Sequence, residues 1–373
     1  GIVHPTFIPH FSALDISNNQ SKFCLTIYPE NNQSLLQHDE IPSQIIKPLI
    51  DVLESQNLSN IPASTTYNYT KNTPKHILNN IDVFGTMAIN KNTLSGFNNS
   101  PVGGVPNAGS KNTIETNSCD GVQIKVYSGA ALEVGDQNGF AEGGLLVKRG
   151  SSLSLKSGSF LKLAENSKLV IEEGANLIIE DNVDIALNGT NSELVIQGKL
   201  TVAPNTNFTF RGSGKLVFDQ NIPWVTNAQG NLAMDLTNFM EIGANATFKL
   251  SNPSPADKYD VLLECRQPAL LKDALGNAFT EVEITNGTVA LEQDAFIFSF
   301  GKTDVVDARI TNTGNNAKHG GLRVWNSGNV NRIRRTEVSQ GHPGILYHGF
   351  GASGRIEVID CDFSYNLHAL RVD

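Results

Sequence analysis

Across residues 144–219 one phrase of eight residues keeps returning: GGLLVKRG, SSLSLKSG, SFLKLAEN, SKLVIEEG, ANLIIEDN, VDIALNGT. Its first apolar position is held by Leu145, Leu153, Leu161, Leu169, Leu177 and Ile185. The position two further on is held by Val147, Leu155, Leu163, Ile171, Ile179 and Leu187. Residues two apart share one face of a strand, and the punctuating Gly150, Gly158, Asn166, Gly174 and Asn182 suit tight corners with positive φ. Each phrase is therefore a short strand plus a corner. Such a unit cannot bury two apolar side chains alone, so it must stack on copies of itself as a solenoid. The pattern resumes as Leu194/Ile196, Leu200/Val202, Phe208/Phe210 and Leu216/Phe218.

The residue between the members of each pair faces outward and sets the number of strands per turn. Taken every third phrase, Leu146, Val170, Val195 and Val217 fall in one row, while Ser154, Ile178 and Thr201, and Lys162, Ala186 and Thr209, fall in the others. Taken every second phrase, Lys162 mixes with Leu146 and Ile178. The chain is thus expected to be all-β, a three-sided parallel β-helix with about 24 residues per coil. An aliphatic outer row marks an interface, here covered by the chain's own N-terminal region or by another protein.

The phrasing persists through Val261–Leu263, Val282–Ile284, Val289–Leu291 and Phe296–Phe298, read as inward pairs, and then repeats at longer intervals. GGLRVWNSG, PGILYHGFG and LHALRVD align, as do RRTEVSQ and IDCDFSYN. Residues 119–300 form the regular solenoid and 301–373 its continuation with longer coils. Asp373 follows an apolar strand pair directly, which predicts that the polypeptide continues. Residues 1–118 lack the repeat. They mix prolines and Asn-rich tracts with one helix candidate at 45–54, and read as an irregular tail, cap or side cover. The first solenoid strands are then expected at residues 122–126 and 132–134.

These apolar pairs beside Asn, Ser or Gly turns resemble the right-handed parallel β-helix repeat of the pectate-lyase-like superfamily. The glycine-punctuated 144–219 region also resembles the large surface β-helix proteins of the Bacteroidota, many exported by type IX secretion. That resemblance implies a secreted or cell-surface location and an outer wall suited to polysaccharide.

Composition removes other classes. The balance of 28 Lys+Arg against 37 Asp+Glu gives −9, with no basic block, which argues against nucleic acid as partner. No apolar run is long enough for a membrane span. Cys24, Cys119, Cys265 and Cys361 stand singly, without zinc spacing, and read as small core residues unless an oxidising compartment pairs them. The sequence holds no GxSxG elbow, P-loop or HExxH motif.

The dense polar cluster is C-terminal. Lyases of this shape set an Arg or Lys base beside carboxylates that hold Ca²⁺, and hydrolases set two carboxylates at a fixed separation. Arg335, Asp360, Asp362 and His342 are the catalytic candidates on those terms. The aligned coils stack Arg335 near Asp360, Glu337 near Asp362 and Arg323 near Arg371, an arrangement that an ordinary solvated ladder of opposite charges would also give. Trp325 offers an outward platform for a sugar ring, and Arg323 and Arg371 flank it as ligand-binding candidates. His319 and His342 read as turn residues. No cofactor or metal site is expected; Asp360-x-Asp362 is the one pair that would face a Ca²⁺. The regular ladders favour a non-enzymatic stalk, adhesin or scaffold. A polysaccharide lyase or glycosidase on the C-terminal coils, and a component docking on a larger cell-surface machine through the aliphatic row, are the alternatives.

Overall fold

The computed structural model describes residues 6–11, 25–30, 59–69, 76–77, 80–89, 112–116, 121–135, 143–189, 191–252, 259–314, 318–325, 328–349 and 354–373. The chain winds into a parallel β-solenoid of about ten turns with three strands per turn. The first face is an eleven-stranded sheet running from Thr66–Tyr69 to Arg355–Ile359, and the second an eleven-stranded sheet from His76–Ile77 to Asp362–Ser364. The third face is built from two sheets, seven strands from Asn60–Ile61 to Met240–Ile242 and then five from Ala269–Leu270 to Leu370–Val372. The chain visits the faces in that order.

The eight-residue phrase sets this geometry. Leu145 pairs in register with Leu169, Leu153 with Leu177, and Leu161 with Ile185, each partner 24 residues on, which is three phrases. The inward doublets are fully buried and form one continuous core. Asn166, Asn182, Asn205 and Asn245 turn corners at φ 57, 56, 59 and 60°, a backbone region that asparagine enters more readily than other side-chain-bearing residues. Midway along, the aliphatic ladder gives way to a phenylalanine column in which Phe248 lies 5.6 Å from Phe208 and 5.4 Å from Phe279, between ring centroids.

The structure departs from the expected layout in four places, the smallest at Val261, which is half-buried beside a bulge while Leu263 and Cys265 make the inward pair. The stack begins well before residue 122: strands at Asn60–Ile61, Thr66–Tyr69, His76–Ile77, Ile81–Val83, Thr86–Ile89 and Asn112–Thr116 already occupy the three faces. These strands are too short and too widely interrupted to show a period. Phe296 and Phe298 face outward, and Ile297 and Ser299 inward, because FIFSF alternates in both phases and a slip of one residue exchanges the faces. An antiparallel hairpin, Trp224–Thr226 with Leu232–Met234, is inserted between the second and third faces. The helix candidate at 45–54 and the cap before Cys119 lie outside the described residues. So do Cys24 and Cys119, while Cys265 is a free thiol buried in the core ladder and Cys361 is free and half-buried.

Candidate functional site

The C-terminal polar cluster divides among separate places on the coil. Between the first and second faces each turn is made by a single left-handed residue: Asn286, Asp307, Arg335 and Asp360, at φ 54, 53, 47 and 53°. Arg335 and Asp360 therefore succeed one another at this corner, as expected. The closest partner of Arg335 is Asp307, whose hydrogen bonds hold the guanidinium above its ordinary pKa. Asp362 pairs in register with Glu337 on the second face, and Glu337 Oε2 lies 3.8 Å from Arg309 Nε.

His342 sits at the next corner, where its backbone N–H donates to the His319 carbonyl at 2.7 Å and its ring centroid lies 5.9 Å from that of His368. His319 is buried. Its Nδ1 accepts from the Gly321 N–H at 3.0 Å and its Nε2 donates to the Ser339 carbonyl at 2.8 Å, an assignment fixed by the backbone donor. Burial pushes its pKa below the ordinary value. Arg335, Asp360, Asp362 and His342 are thus spread over two corners and a face.

The three ligand-binding candidates share one surface. On the third face Phe298, Arg323, Leu346 and Arg371 form one outward row, and Trp325 and His348 are register partners in the next. The sequence reading missed Phe298, Phe300 and His348, which complete an aromatic strip. Phe298 and Phe300 stack at 4.4 Å, Phe298 and His348 at 5.2 Å, and Trp325 lies 5.5 Å from His348 and 6.1 Å from Phe298. Such separations are those of mutually packed rings. Burial, with the nearby Arg323 and Arg371 charges, holds His348 below its ordinary pKa against the opposing pull of Asp373.

Cations rim the strip. The Arg323 guanidinium lies 3.7 Å from the centre of the Phe296 ring and the Lys272 ammonium 4.7 Å from that of Phe300. A Cβ at Gly320 would stand 3.0 Å from Phe296 Cβ and 3.1 Å from Arg323 Nη2, so glycine there leaves room for the stack. Desolvation lowers the Arg323 pKa, and among the described residues no carboxylate lies within ion-pair distance of it. Arg371, in contrast, is paired with Asp373 at 2.7 Å. The surface offers apolar ring faces and a half-buried cation, the equipment for stacking a ring and holding an anion.

The aliphatic row is also in place. Leu146, Val170, Val195 and Val217 are register neighbours on the outside of the second face; the first two are half-buried, and Val195 and Val217 are 1% and 0% exposed. Among the described residues no group of three or more His, Cys, Asp or Glu is placed to hold a metal ion, and no helix is long and apolar enough to cross a membrane. No family of known proteins, no curated protein and no solved structure matches this chain.

Proposed function

We propose that this chain is a section of a secreted or cell-surface β-helix protein that acts as an adhesive scaffold and holds polysaccharide against the third face of its C-terminal coils. The observation that carries the reading is the Phe298–Phe300–Trp325–His348 strip with Arg323 beside it. Sugar rings present C–H faces that pack on aromatic rings, and a guanidinium is suited to a carboxylate or sulfate in a bidentate contact. The strands that carry the rings, Phe296–Ser299, Gly321–Trp325 and Ile345–His348, are each paired on both sides, a rigid support that suits a binding surface. The resemblance to the β-helix surface proteins of the Bacteroidota supports extracellular display, with type IX secretion as the implied route. It also supports kinship with the pectate-lyase-like superfamily.

A scaffold retains polysaccharide without consuming it. The test is electrophoresis of the chain in native gels cast with polygalacturonate, alongside an assay for new reducing or unsaturated ends. Retardation that falls in Trp325→Ala and Arg323→Gln, with no new ends, is the expected result. Undiminished retardation in both variants would remove the third face from the reading, and release of new ends would replace the scaffold with an enzyme.

A further inference from the structure

A second recess lies on the second face, away from the aromatic strip. It has a volume of about 570 Å³, inside the roughly 300–1,000 Å³ range of small-ligand pockets. The outward row that is aliphatic from Leu146 to Val217 changes character here: Glu264 follows Val217, then Ala290, then Thr311. Ala290 and Thr311 are short, so they leave a floor between taller walls. Tyr259, 59% exposed, and Arg309 rise on one side, the Arg309 guanidinium 5.6 Å from the ring centre. Asn312, Thr313 and Gln340 rise on the other.

The chemistry of this lining differs from that of the third face. Its cations already have partners: Lys215 Nζ lies 2.6 Å from Glu264 and 2.9 Å from Glu193, and Arg309 lies 3.8 Å from Glu337. An incoming anion would meet those carboxylates and gain little from ammonium and guanidinium groups that are already neutralised. The rest of the lining is a phenol ring, hydroxyls and amides, with the Thr311 hydroxyl accepting from Ser339 Oγ at 3.0 Å; such groups take part in more than one hydrogen bond at a time and match a neutral chain of hydroxyl-bearing rings. An extended peptide fits less well. The backbone of this sheet is hydrogen-bonded to neighbours on both sides through the recess, so no strand edge is open for a peptide to join.

The geometry points to a second carbohydrate site in this recess, one that takes a segment of a neutral glycan against Tyr259 and the Thr311 floor. The site is independent of the third-face reading and survives or fails separately from it. The intact chain is run in native gels cast with xyloglucan, galactomannan, mixed-linkage β-glucan or starch, and in a control gel with polygalacturonate. Retardation by at least one neutral polysaccharide is expected. Tyr259→Ala and Thr311→Phe should weaken it by about tenfold or more, the scale of losing one central aromatic contact. Tyr259→Phe should retain most of it, and Trp325→Ala should leave it unchanged. The Tyr259 side chain is largely exposed, so its removal leaves the coil intact, which an unchanged melting temperature verifies. The proposal is overturned if no neutral polysaccharide retards the chain, if Tyr259→Ala and Thr311→Phe bind as the parent does, or if Trp325→Ala abolishes the same retardation.

Discussion

Arg335 donates from Nε to Oδ1 of Asp307 at 2.6 Å and from Nη2 to Oδ2 at 2.7 Å, one turn of the solenoid apart and both at left-handed corners. The bond spans the stacking direction, so it ties successive turns where the backbone is least favoured. A guanidinium held this way stays protonated and is a poor Brønsted base. Arg335→Lys loses the two-point contact, and we expect a small drop in melting temperature that shrinks in high salt because both side chains are exposed. No change in polysaccharide retention should accompany it. A loss of retention with an unchanged melting temperature would move Arg335 from corner lock to ligand contact.

Phe248 is fully buried and lies 5.6, 6.4 and 5.4 Å from Phe208, Phe218 and Phe279, between centroids. In a solenoid each turn leans only on its neighbours, so a defect here divides the stack. Phe248→Ala is expected to cost about 3–5 kcal/mol, the usual range for emptying a buried aromatic site. Chemical denaturation should then show a broadened or two-step transition as the turns on either side lose their coupling. A single transition with an unchanged midpoint would contradict this.

The regular turns are legible in the sequence because each strand there carries one inward doublet and one corner residue. Leu145/Val147 and Leu169/Ile171 admit a single phase, since their neighbours Lys148 and Lys168 cannot face the core. Legibility fails where both phases are apolar. In FIFSF the inward Ser299 is accommodated by a hydrogen bond from the Thr303 hydroxyl at 2.8 Å, a contact that no local pattern announces. Trp325, Arg323 and Arg371 were readable as one surface because GGLRVWNSG and LHALRVD align. His348 falls opposite Trp325 in the same alignment, but its place in a ring cluster depends on Phe298, whose phase FIFSF conceals, and on Phe300, which lies past the end of its strand. The strands between residues 59 and 116 are as short as two residues, and pairing with neighbouring turns, not their own composition, makes them strands.

One buried and one half-buried group set the acid side of the stability curve. His319 is held neutral by burial and by the Gly321 N–H that its Nδ1 accepts, which together outweigh the opposite pull of the Ser339 carbonyl. The unfolded chain takes up a proton near pH 6.5 that the folded chain refuses, so stability falls as the pH drops from about 6.5 toward the lower folded pKa. Burial raises the Glu193 carboxyl, but hydrogen bonds from Lys215 and Lys168 outweigh it and bring it below its ordinary value of 4.5. Its contribution is present above about pH 4.5 and is lost as the pH falls through the folded pKa. Urea midpoints across pH should show both limbs. His319→Gln should flatten the upper one alone and Glu193→Gln the lower one alone. Parallel curves for all three proteins would show that other groups control acid unfolding.

The aliphatic row divides by its cover. Glu193 and Lys215 flank Val195 and Val217 on one side of the row, and Arg266 lies on the other, following Glu264 and Cys265. Arg266 Nη2 nevertheless comes within 3.9 Å of Glu193, and its Nε lies 2.7 Å from Glu264. To make both contacts the arginine side chain must cross the valine row, and its stem shields apolar surface in doing so. Val217→Ala is therefore expected to cost about 1.5–2.5 kcal/mol, two buried methyl groups plus the space they leave. Leu146 and Val170 lie outside that network and remain half-buried, so Val170→Lys should change stability by no more than about 0.5 kcal/mol. Sedimentation of the same variant tests what docks there. A lower sedimentation coefficient than the parent's would identify the Leu146–Val170 stretch as the contact between chains, and an identical one would rule out self-association through it.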